Sequence, residues 1–264
     1  METFTYYPGC TLRTKAKELD TYARASAEAL GISLVEPENW QCCGGAYTTA
    51  TNEVATKLSA VRTLIAGKET AGLVTVCSAC HNVIKQTNYD ISHNEAMVAK
   101  VQRYLGLDEA YTGDTKVYHY LELLRDVVGF DKLKEKVVNP FKDKKIAAYY
   151  GCLLLRPSKA LAMDNPENPV IMEDFIRAIG GTPVIYAQRN ECCGGYIAME
   201  DKAQAEKRSS AVMASAEEMG ADMIITACPL CLYNLKKNSG SDMPVYYFTE
   251  LLAEALGLKE ADNE

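Results

Sequence analysis

The sequence predicts an α/β protein made of two pseudo-symmetric repeats, each a small, mostly parallel β-sheet flanked by helices. Two observations lead to this prediction. The ten cysteines recur with nearly the same spacing in both halves of the chain, and short apolar segments alternate with helix-period segments in the same order around them. Alternating strands and helices are typical of parallel sheets with helices packed on their faces.

The first repeat contains four strand-like and four helix-like segments. β-branched and aromatic residues mark its first strand, and a 3.6-residue apolar period marks the following helix, which we expect to end at Gly31. The predicted strands are residues 3–7, 32–35, 73–76 and 117–120, and the predicted helices are residues 16–30, 52–66, 78–87 and 121–128.

The second repeat follows the same order. Its predicted strands are residues 146–150, 184–186, 223–226 and 245–247, and its predicted helices are residues 171–179, 202–219, 230–236 and 249–256. The repeats differ mainly by an insertion around residues 89–116. A proline followed by a charged stretch at residues 139–145 is typical of a linker, so we expect domains over residues 1–139 and 140–264.

Composition excludes several classes of protein. Of the 264 residues, 48% are apolar and 24% are charged, which argues against a disordered or collagen-like chain. The net charge of −7 gives no electrostatic reason to bind nucleic acid or an anionic membrane. No apolar run approaches the roughly 18 residues of a membrane-spanning helix, and the N-terminal residues do not resemble a signal peptide. We therefore expect a cytoplasmic protein without membrane insertion, in a compartment where structural disulfides are rare.

The cysteines form one pattern that occurs twice: a single cysteine, then Cys-Cys-Gly-Gly, then Cys-x-x-Cys. Most of them follow predicted strands, and the carboxyl ends of parallel strands meet at one edge of a sheet, where ligands bind. Each Cys-x-x-Cys opens a helix, whose N–H groups and dipole favour thiolates. The two sets are Cys10, Cys42, Cys43, Cys77 and Cys80, and Cys152, Cys192, Cys193, Cys228 and Cys231.

Several interpretations compete for five thiols per repeat. Disulfides would leave one cysteine unpaired in each repeat, and a structural zinc site usually takes four ligands from two paired motifs. A redox dithiol would use only the Cys-x-x-Cys. An iron–sulfur cluster is large enough for thiolates from several directions, although an ordinary four-iron cluster needs only four. The glycines after each Cys-Cys pair, at positions 44, 45, 194 and 195, either leave room for a cluster and substrate or form tight turns.

At these residues the chain resembles the B subunit of heterodisulfide reductase and its bacterial relatives, proteins with two cysteine-rich Cys-Cys-Gly domains. The resemblance runs from Tyr7-Pro8-Gly9-Cys10 through Gly151-Cys152 to Cys228-Pro229-Leu230-Cys231. It implies that each domain binds one non-cubane [4Fe-4S] cluster through its five cysteines. It also implies that a disulfide lodges between the two clusters and is cleaved to two thiols by two one-electron steps. The substrate stays open among the heterodisulfide of coenzymes M and B, another small disulfide and a protein disulfide.

Other residues are candidates for substrate binding and proton transfer. Arg13 and Arg156 each follow the first cysteine of a repeat and either bind an anionic group of the substrate or make local ion pairs. Gly44, Gly45, Gly194 and Gly195 are candidate substrate-contacting positions. His81 follows Cys80 and either donates a proton to a departing thiolate or packs at the start of the helix.

The chain has no glycine fingerprint for a nucleotide, so we expect neither flavin nor nicotinamide on it. Electrons must then come from a partner. The resemblance implies a ferredoxin-like C subunit, fed by a flavin-containing A subunit, and the insertion around residues 89–116 is a candidate docking surface. The leading hypothesis is a disulfide oxidoreductase that acts within a complex. The alternatives are an electron-relay component of a lactate-, glycolate- or quinone-linked dehydrogenase and a zinc-stabilised interaction protein.

Overall fold

Two four-stranded parallel sheets form the framework of the protein, as the sequence predicts. The computed structural model describes residues 1–45 and 54–259. In the first sheet the order is β2-β1-β3-β4, and in the second it is β6-β5-β7-β8, so the same topology occurs twice. The strands are β1 (Glu2–Tyr7), β2 (Ile32–Val35), β3 (Leu73–Thr75), β4 (Val117–His119), β5 (Lys145–Tyr149), β6 (Thr182–Val184), β7 (Met223–Thr226) and β8 (Val245–Tyr247).

Helices connect the strands and cover the sheets. Those of the first repeat are α1 (Gly9–Thr14), α2 (Lys17–Ala29), α3 (Leu58–Gly67), α4 (Ser78–Ser92), α5 (Glu95–Leu105), α6 (Tyr120–Leu123) and α7 (Phe130–Lys136). Those of the second repeat are α8 (Ser158–Leu161), α9 (Ile171–Ala178), α10 (Lys202–Glu218), α11 (Pro229–Asn238) and α12 (Phe248–Ala255). No helix in the described part of the chain has the length and apolarity to cross a membrane.

The predicted elements differ from the observed ones mainly at their ends. Of the helix predicted over residues 52–66, residues 52 and 53 lie outside the described residues, and the rest forms a 3₁₀ turn (Ala55–Lys57) followed by α3. The helix predicted over residues 121–128 divides into α6 and a π-helical turn (Leu124–Val128).

Three short helices, α1, α7 and α8, and the longer helix α5 lie outside the predicted elements. The ends of α5 carry recognisable signals: the Asn94 side chain accepts a hydrogen bond from the Met97 N–H, and Gly106 ends the helix with φ of 64°.

The two repeats share one hydrophobic core. A single cluster of buried side chains includes Phe4 and Val74 from the first sheet and Ile146 and Ile225 from the second. Helices α2 and α12 pack against each other across the boundary between the repeats. Each repeat also has its own apolar cluster on the other face of its sheet, and its buried cysteines belong to that cluster. The cysteine-bearing edges are therefore held at fixed positions relative to each other.

Candidate cysteine-lined site

In the first repeat, three chain segments bring five thiols to one edge of the sheet. Cys10 lies in the first turn of α1 directly after β1, Cys42 and Cys43 follow β2, and Cys77 and Cys80 lie at the start of α4 directly after β3. The Sγ atoms of Cys43 and Cys80 are 3.4 Å apart. Cys42 lies close enough to Cys10 for its pKa to be raised by it.

The second repeat gathers its thiols in the same way. The Sγ atoms of Cys193 and Cys231 are 3.6 Å apart, and Cys152 lies close enough to Cys192 for its pKa to be raised by it. All five cysteines line one pocket, which also includes Ser78 of the first repeat, Tyr150, Leu153, Gly195, Tyr196 and Leu230. None of the ten cysteines forms a disulfide.

The two sets of thiols adjoin at the interface between the repeats, where Cys77 and Cys228 lie close enough to shift each other's pKa. The carbonyl groups just before these cysteines belong to Val76 and Ala227. The Tyr247 hydroxyl donates to both, at 2.8 and 3.0 Å, and the backbone N–H and hydroxyl of Ser78 donate to the Ala227 carbonyl at 3.0 and 2.7 Å. These hydrogen bonds fix the two Cys-x-x-Cys motifs side by side.

A glycine makes room for a thiol at equivalent places in the two repeats. A Cβ atom on Gly9, whose φ is +78°, would lie 2.9 Å from the Cys80 Sγ, and one on Gly151 would lie 3.4 Å from the Cys231 Sγ. The space next to each sulfur therefore depends on glycine.

The hydroxyl group of a buried tyrosine anchors each Cys-Cys loop. Tyr7 donates to the Gln41 carbonyl at 2.8 Å, and Tyr149 donates to the Glu191 carbonyl at 2.7 Å. Both acceptors directly precede a Cys-Cys pair, so the same contact sets the position of the loop in each repeat.

Interactions between neighbouring thiols lower the pKa of several cysteines. The interaction with Cys80 lowers the pKa of Cys43 to about 7, and the interaction with Cys152 lowers the pKa of Cys192 to about 6. Interactions with Cys231, and then with Cys77, lower the pKa of Cys228. A metal centre binds thiolates and releases their protons, so thiols crowded in this way are suited to a centre of high positive charge.

The donor set fits a cluster of several irons. Among residues 1–45 and 54–259, no group of three or more Cys, His, Asp or Glu side chains is arranged around the position of a single metal ion. In the second repeat the thiols line a pocket from several sides instead. A multi-iron cluster presents its irons at separate positions and prefers soft thiolate ligands.

The predicted arginines are both engaged locally. Arg13 is half-exposed, and its Nε lies 3.1 Å from a carboxylate oxygen of Glu36. Arg156 donates to the carbonyl groups of Asn190 and Pro166 at 3.0 and 3.2 Å. The contact of Arg156 with Asn190 ties the loop after Cys152 to the segment that precedes Cys192.

His81 is fully buried, and burial lowers its pKa. Its Nδ1 lies 3.1 Å from the Thr75 hydroxyl and its Nε2 lies 3.4 Å from Glu122. It does not line the pocket of the second repeat.

The glycines of both Cys-Cys-Gly-Gly motifs form turns. Gly44, Gly45 and Gly194 have positive φ angles of 85°, 54° and 81°. The Gly194 N–H lies 3.4 Å from the Cys192 Sγ, and Gly195 lines the pocket. In the second repeat, Gly194 therefore both has the left-handed backbone and brings its N–H close to the Cys192 sulfur.

Sequence reasoning missed the residues that join the repeats. Ser78, Asn82 and Tyr247 each make hydrogen bonds across the interface, and the Asn82 amide donates to the carbonyl groups of Leu153 and Arg156, both at 2.7 Å. Ser78 lies within the first Cys-x-x-Cys and Asn82 two residues after it, and the equivalent residues of the second repeat are Pro229 and Tyr233. The difference between the repeats at these two positions is the signal in the sequence that could have identified Ser78 and Asn82.

Comparison with known proteins identifies the family. The profile described as CCG, cysteine-rich domain, matches residues 4–85 and again residues 146–236. The chain belongs to this cysteine-rich domain family. One match lies in each repeat, and together the two matches contain all ten cysteines, so the duplication seen in the sequence includes a duplication of this domain.

Curated relatives extend the comparison. The chain is 29% identical to the 8-methylmenaquinol:fumarate reductase membrane anchor subunit of Wolinella succinogenes, over 97% of this chain and 92% of that one. It is 26% identical to the B subunit of the ferredoxin/F(420)H(2)-dependent CoB-CoM heterodisulfide reductase of Methanosarcina acetivorans, over 97% and 90%. The resemblance to the B subunit of heterodisulfide reductase is thus confirmed.

A crystal structure of a hypothetical protein from Helicobacter pylori has the same fold, with a TM-score of 0.74 at 13% identity. It matches over 98% of this chain and 50% of that one.

Proposed function

We propose that this chain is the catalytic iron–sulfur subunit of a heterodisulfide reductase-like complex that reduces a disulfide to two thiols by two one-electron steps. The observation that carries the proposal is that two sets of five free cysteines adjoin where Tyr247 and Ser78 hydrogen-bond the carbonyl groups just before Cys77 and Cys228. Two adjoining sites suit a substrate with two sulfur atoms. The similarity to the B subunit of heterodisulfide reductase over most of the chain supports the same activity.

Each of the proposed domains, residues 1–139 and 140–264, would hold one [4Fe-4S] cluster of the non-cubane type. The ligands would be Cys10, Cys42, Cys43, Cys77 and Cys80 in the first, and Cys152, Cys192, Cys193, Cys228 and Cys231 in the second. When bound, the clusters supply single electrons and iron positions that take up sulfur. The proposal requires neither flavin nor nicotinamide on this chain.

The residues around the thiols would admit and orient the disulfide. Gly44, Gly45, Gly194 and Gly195 are the proposed substrate-contacting positions. An added Cβ on Gly45 would have the Tyr196 hydroxyl 3.9 Å away, whereas Arg208 and Leu230 already pack against Gly194 and Gly195, so the approach of a sulfur atom is more open on the side of Gly45. Arg13 is exposed enough to bind an anionic group of the substrate if it releases Glu36.

Arg156, which is tied to two carbonyl groups, would act mainly by holding its loop. His81 would stay neutral, because burial lowers its pKa, so a ring N–H is the only proton that it could offer beside Cys80.

The electrons would come from a ferredoxin-like C subunit and a flavin-containing A subunit, in the cytoplasm. We propose α5 and the segments beside it, within the insertion at residues 89–116, as the docking surface. Lys100, Arg103 and Tyr104 are exposed on α5, whereas Met97 and Val101 are buried. Deleting the insertion would strip this buried face, so substitutions of the exposed residues test docking more cleanly.

Reduction of a disulfide by the isolated, iron-loaded chain tests the proposal. The chain is purified without oxygen, reconstituted with iron and sulfide, and mixed with a reduced viologen dye. Adding a small disulfide should oxidise the dye and release two thiols per disulfide, and a Cys193→Ser variant should be inactive. Dye oxidation that is the same with and without loaded protein, for small and protein disulfides alike, would overturn the proposal.

A second candidate is an electron-relay component of a quinone-linked reductase or dehydrogenase. The Wolinella succinogenes relative, whose name refers to 8-methylmenaquinol:fumarate reductase, favours it. The two candidates differ in what reoxidises the reduced, loaded chain. A menaquinone analogue should do so for the relay, and a disulfide should do so for the reductase.

A further inference from the structure

Tyr196 reaches from the second repeat to the first at the mouth of the cysteine-lined site. It directly follows Gly195 in the second Cys-Cys-Gly-Gly loop and lines the pocket with the five cysteines of that repeat. Its hydroxyl lies 3.9 Å from the position that a Cβ atom of Gly45 would occupy in the first Cys-Cys-Gly-Gly loop. One phenol thus lies next to both loops.

The hydroxyl of Tyr196 differs from those of the other tyrosines at the site. Tyr7, Tyr149 and Tyr247 are fully buried, and each donates a hydrogen bond to a backbone carbonyl. Tyr196 is 42% exposed, and its hydroxyl makes no hydrogen bond with the residues that the structure describes. Its donor can therefore serve a molecule that enters from solvent.

The surroundings of Tyr196 keep its proton on the oxygen. Burial raises its pKa most, and Cys228, Cys77, Cys43 and Cys152 raise it further. Two of these cysteines belong to the first repeat and two to the second, so the phenol lies close to both sets of thiols. A phenol held neutral is a hydrogen-bond donor throughout the physiological range of pH.

We propose that Tyr196 donates a hydrogen bond to a sulfur atom of the disulfide bound between the two cysteine sets. This inference rests on the proposed function. In the reaction the S–S bond takes up two electrons, delivered one at a time by two molecules of a reduced one-electron carrier, and breaks into two thiolates, which acquire two protons from solvent. Tyr196 keeps its own proton and stabilises the negative charge on one thiolate. Because the neutral disulfide accepts hydrogen bonds weakly, the contact strengthens as charge develops, and it favours the transition state over the bound substrate.

The test compares Tyr196→Phe with Tyr233→Phe in the iron-loaded chain. Tyr233 is a matched control, because it lies in the same repeat, is 62% exposed and is on α11. With reduced viologen and 2-hydroxyethyl disulfide, Tyr196→Phe should lower kcat by roughly 10- to 100-fold, the range for a hydrogen bond to a charged acceptor. KM should change little, because the ground-state disulfide gains little from the contact.

Binding of the product gives a readout that does not depend on turnover. Titration of the loaded chain with 2-mercaptoethanol, followed by its visible spectrum, should show a Kd about 10-fold higher for Tyr196→Phe than for wild type and unchanged for Tyr233→Phe. Equal kcat and equal thiol affinity in both variants would overturn the inference and leave the proposed function standing. Loss of iron in Tyr196→Phe alone would also overturn it, by showing a structural role. Absence of disulfide reduction by wild type would overturn the proposed function and this inference with it.

Discussion

Substitution of Gly9 by alanine tests how closely the backbone must approach the thiols of the first repeat. Gly9 has φ of +78°, and its added Cβ would lie 2.9 Å from the Cys80 Sγ. An ordinary contact needs at least 3.4 Å, so the sulfur must move by about 0.5 Å. Because metal–ligand distances hold to about 0.2 Å, this movement should prevent Cys80 from binding metal. The variant should therefore bind about half the iron of wild type after anaerobic reconstitution.

Gly31→Ala is the matched control for backbone strain. Gly31 has nearly the same φ, +81°, but nothing lies within 4 Å of its added Cβ. Both variants should lose about 1–2 kcal/mol of stability from the left-handed backbone, measured by urea denaturation of the metal-free protein in reductant. Only Gly9→Ala should lose iron. Equal iron contents in the two variants would refute the argument that the glycine makes room for the sulfur.

Three further predictions concern the interface and the partner. Tyr247→Phe removes the hydroxyl that donates to two carbonyl groups at the interface, so urea denaturation should show a loss of about 1–2 kcal/mol, with Tyr233→Phe unchanged within about 0.5 kcal/mol. Asn82→Ala removes two hydrogen bonds between the repeats and should cost about 2 kcal/mol in the same assay, whereas an unchanged midpoint would contradict the structure. The double variant Arg103→Glu, Tyr104→Ser should lose electron transfer from the physiological partner but keep dye-driven activity, and loss of both would argue against docking on α5.

The sequence was sufficient to predict the sheets because local patterns determine them. Buried parallel strands read as short apolar runs, and the same order of runs occurs in both repeats. The short helices were harder to predict. α5 has an asparagine cap, a terminal glycine and an apolar period at Met97, Val101 and Leu105, so it could have been predicted, whereas α1 consists of only six residues. The π-helical turn after α6 has no sequence signal that propensity rules recognise.

Some features of the candidate site follow from local sequence patterns, and others depend on contacts between residues far apart in the chain. Convergence of cysteines on the carboxyl edge follows from parallel topology and could be predicted. The donors that join the repeats could not, because Tyr247 lies 171 residues from its acceptor Val76 and Asn82 lies 71 residues from Leu153. Such pairs depend on how the two repeats pack, which no local pattern encodes. Tyr196 was missed because a single tyrosine after a glycine turn is unremarkable until the opposite loop is placed beside it.

The metal content of the wild-type chain tests the central claim most directly. Elemental analysis of protein purified and reconstituted without oxygen should give about eight irons and about eight inorganic sulfides per chain, with no stoichiometric zinc. Single variants Cys43→Ala and Cys193→Ala should each retain about half of the iron, because the two sets of thiols bind separately. One zinc per repeat, or loss of all iron from either single variant, would contradict the claim that each repeat holds its own iron–sulfur cluster.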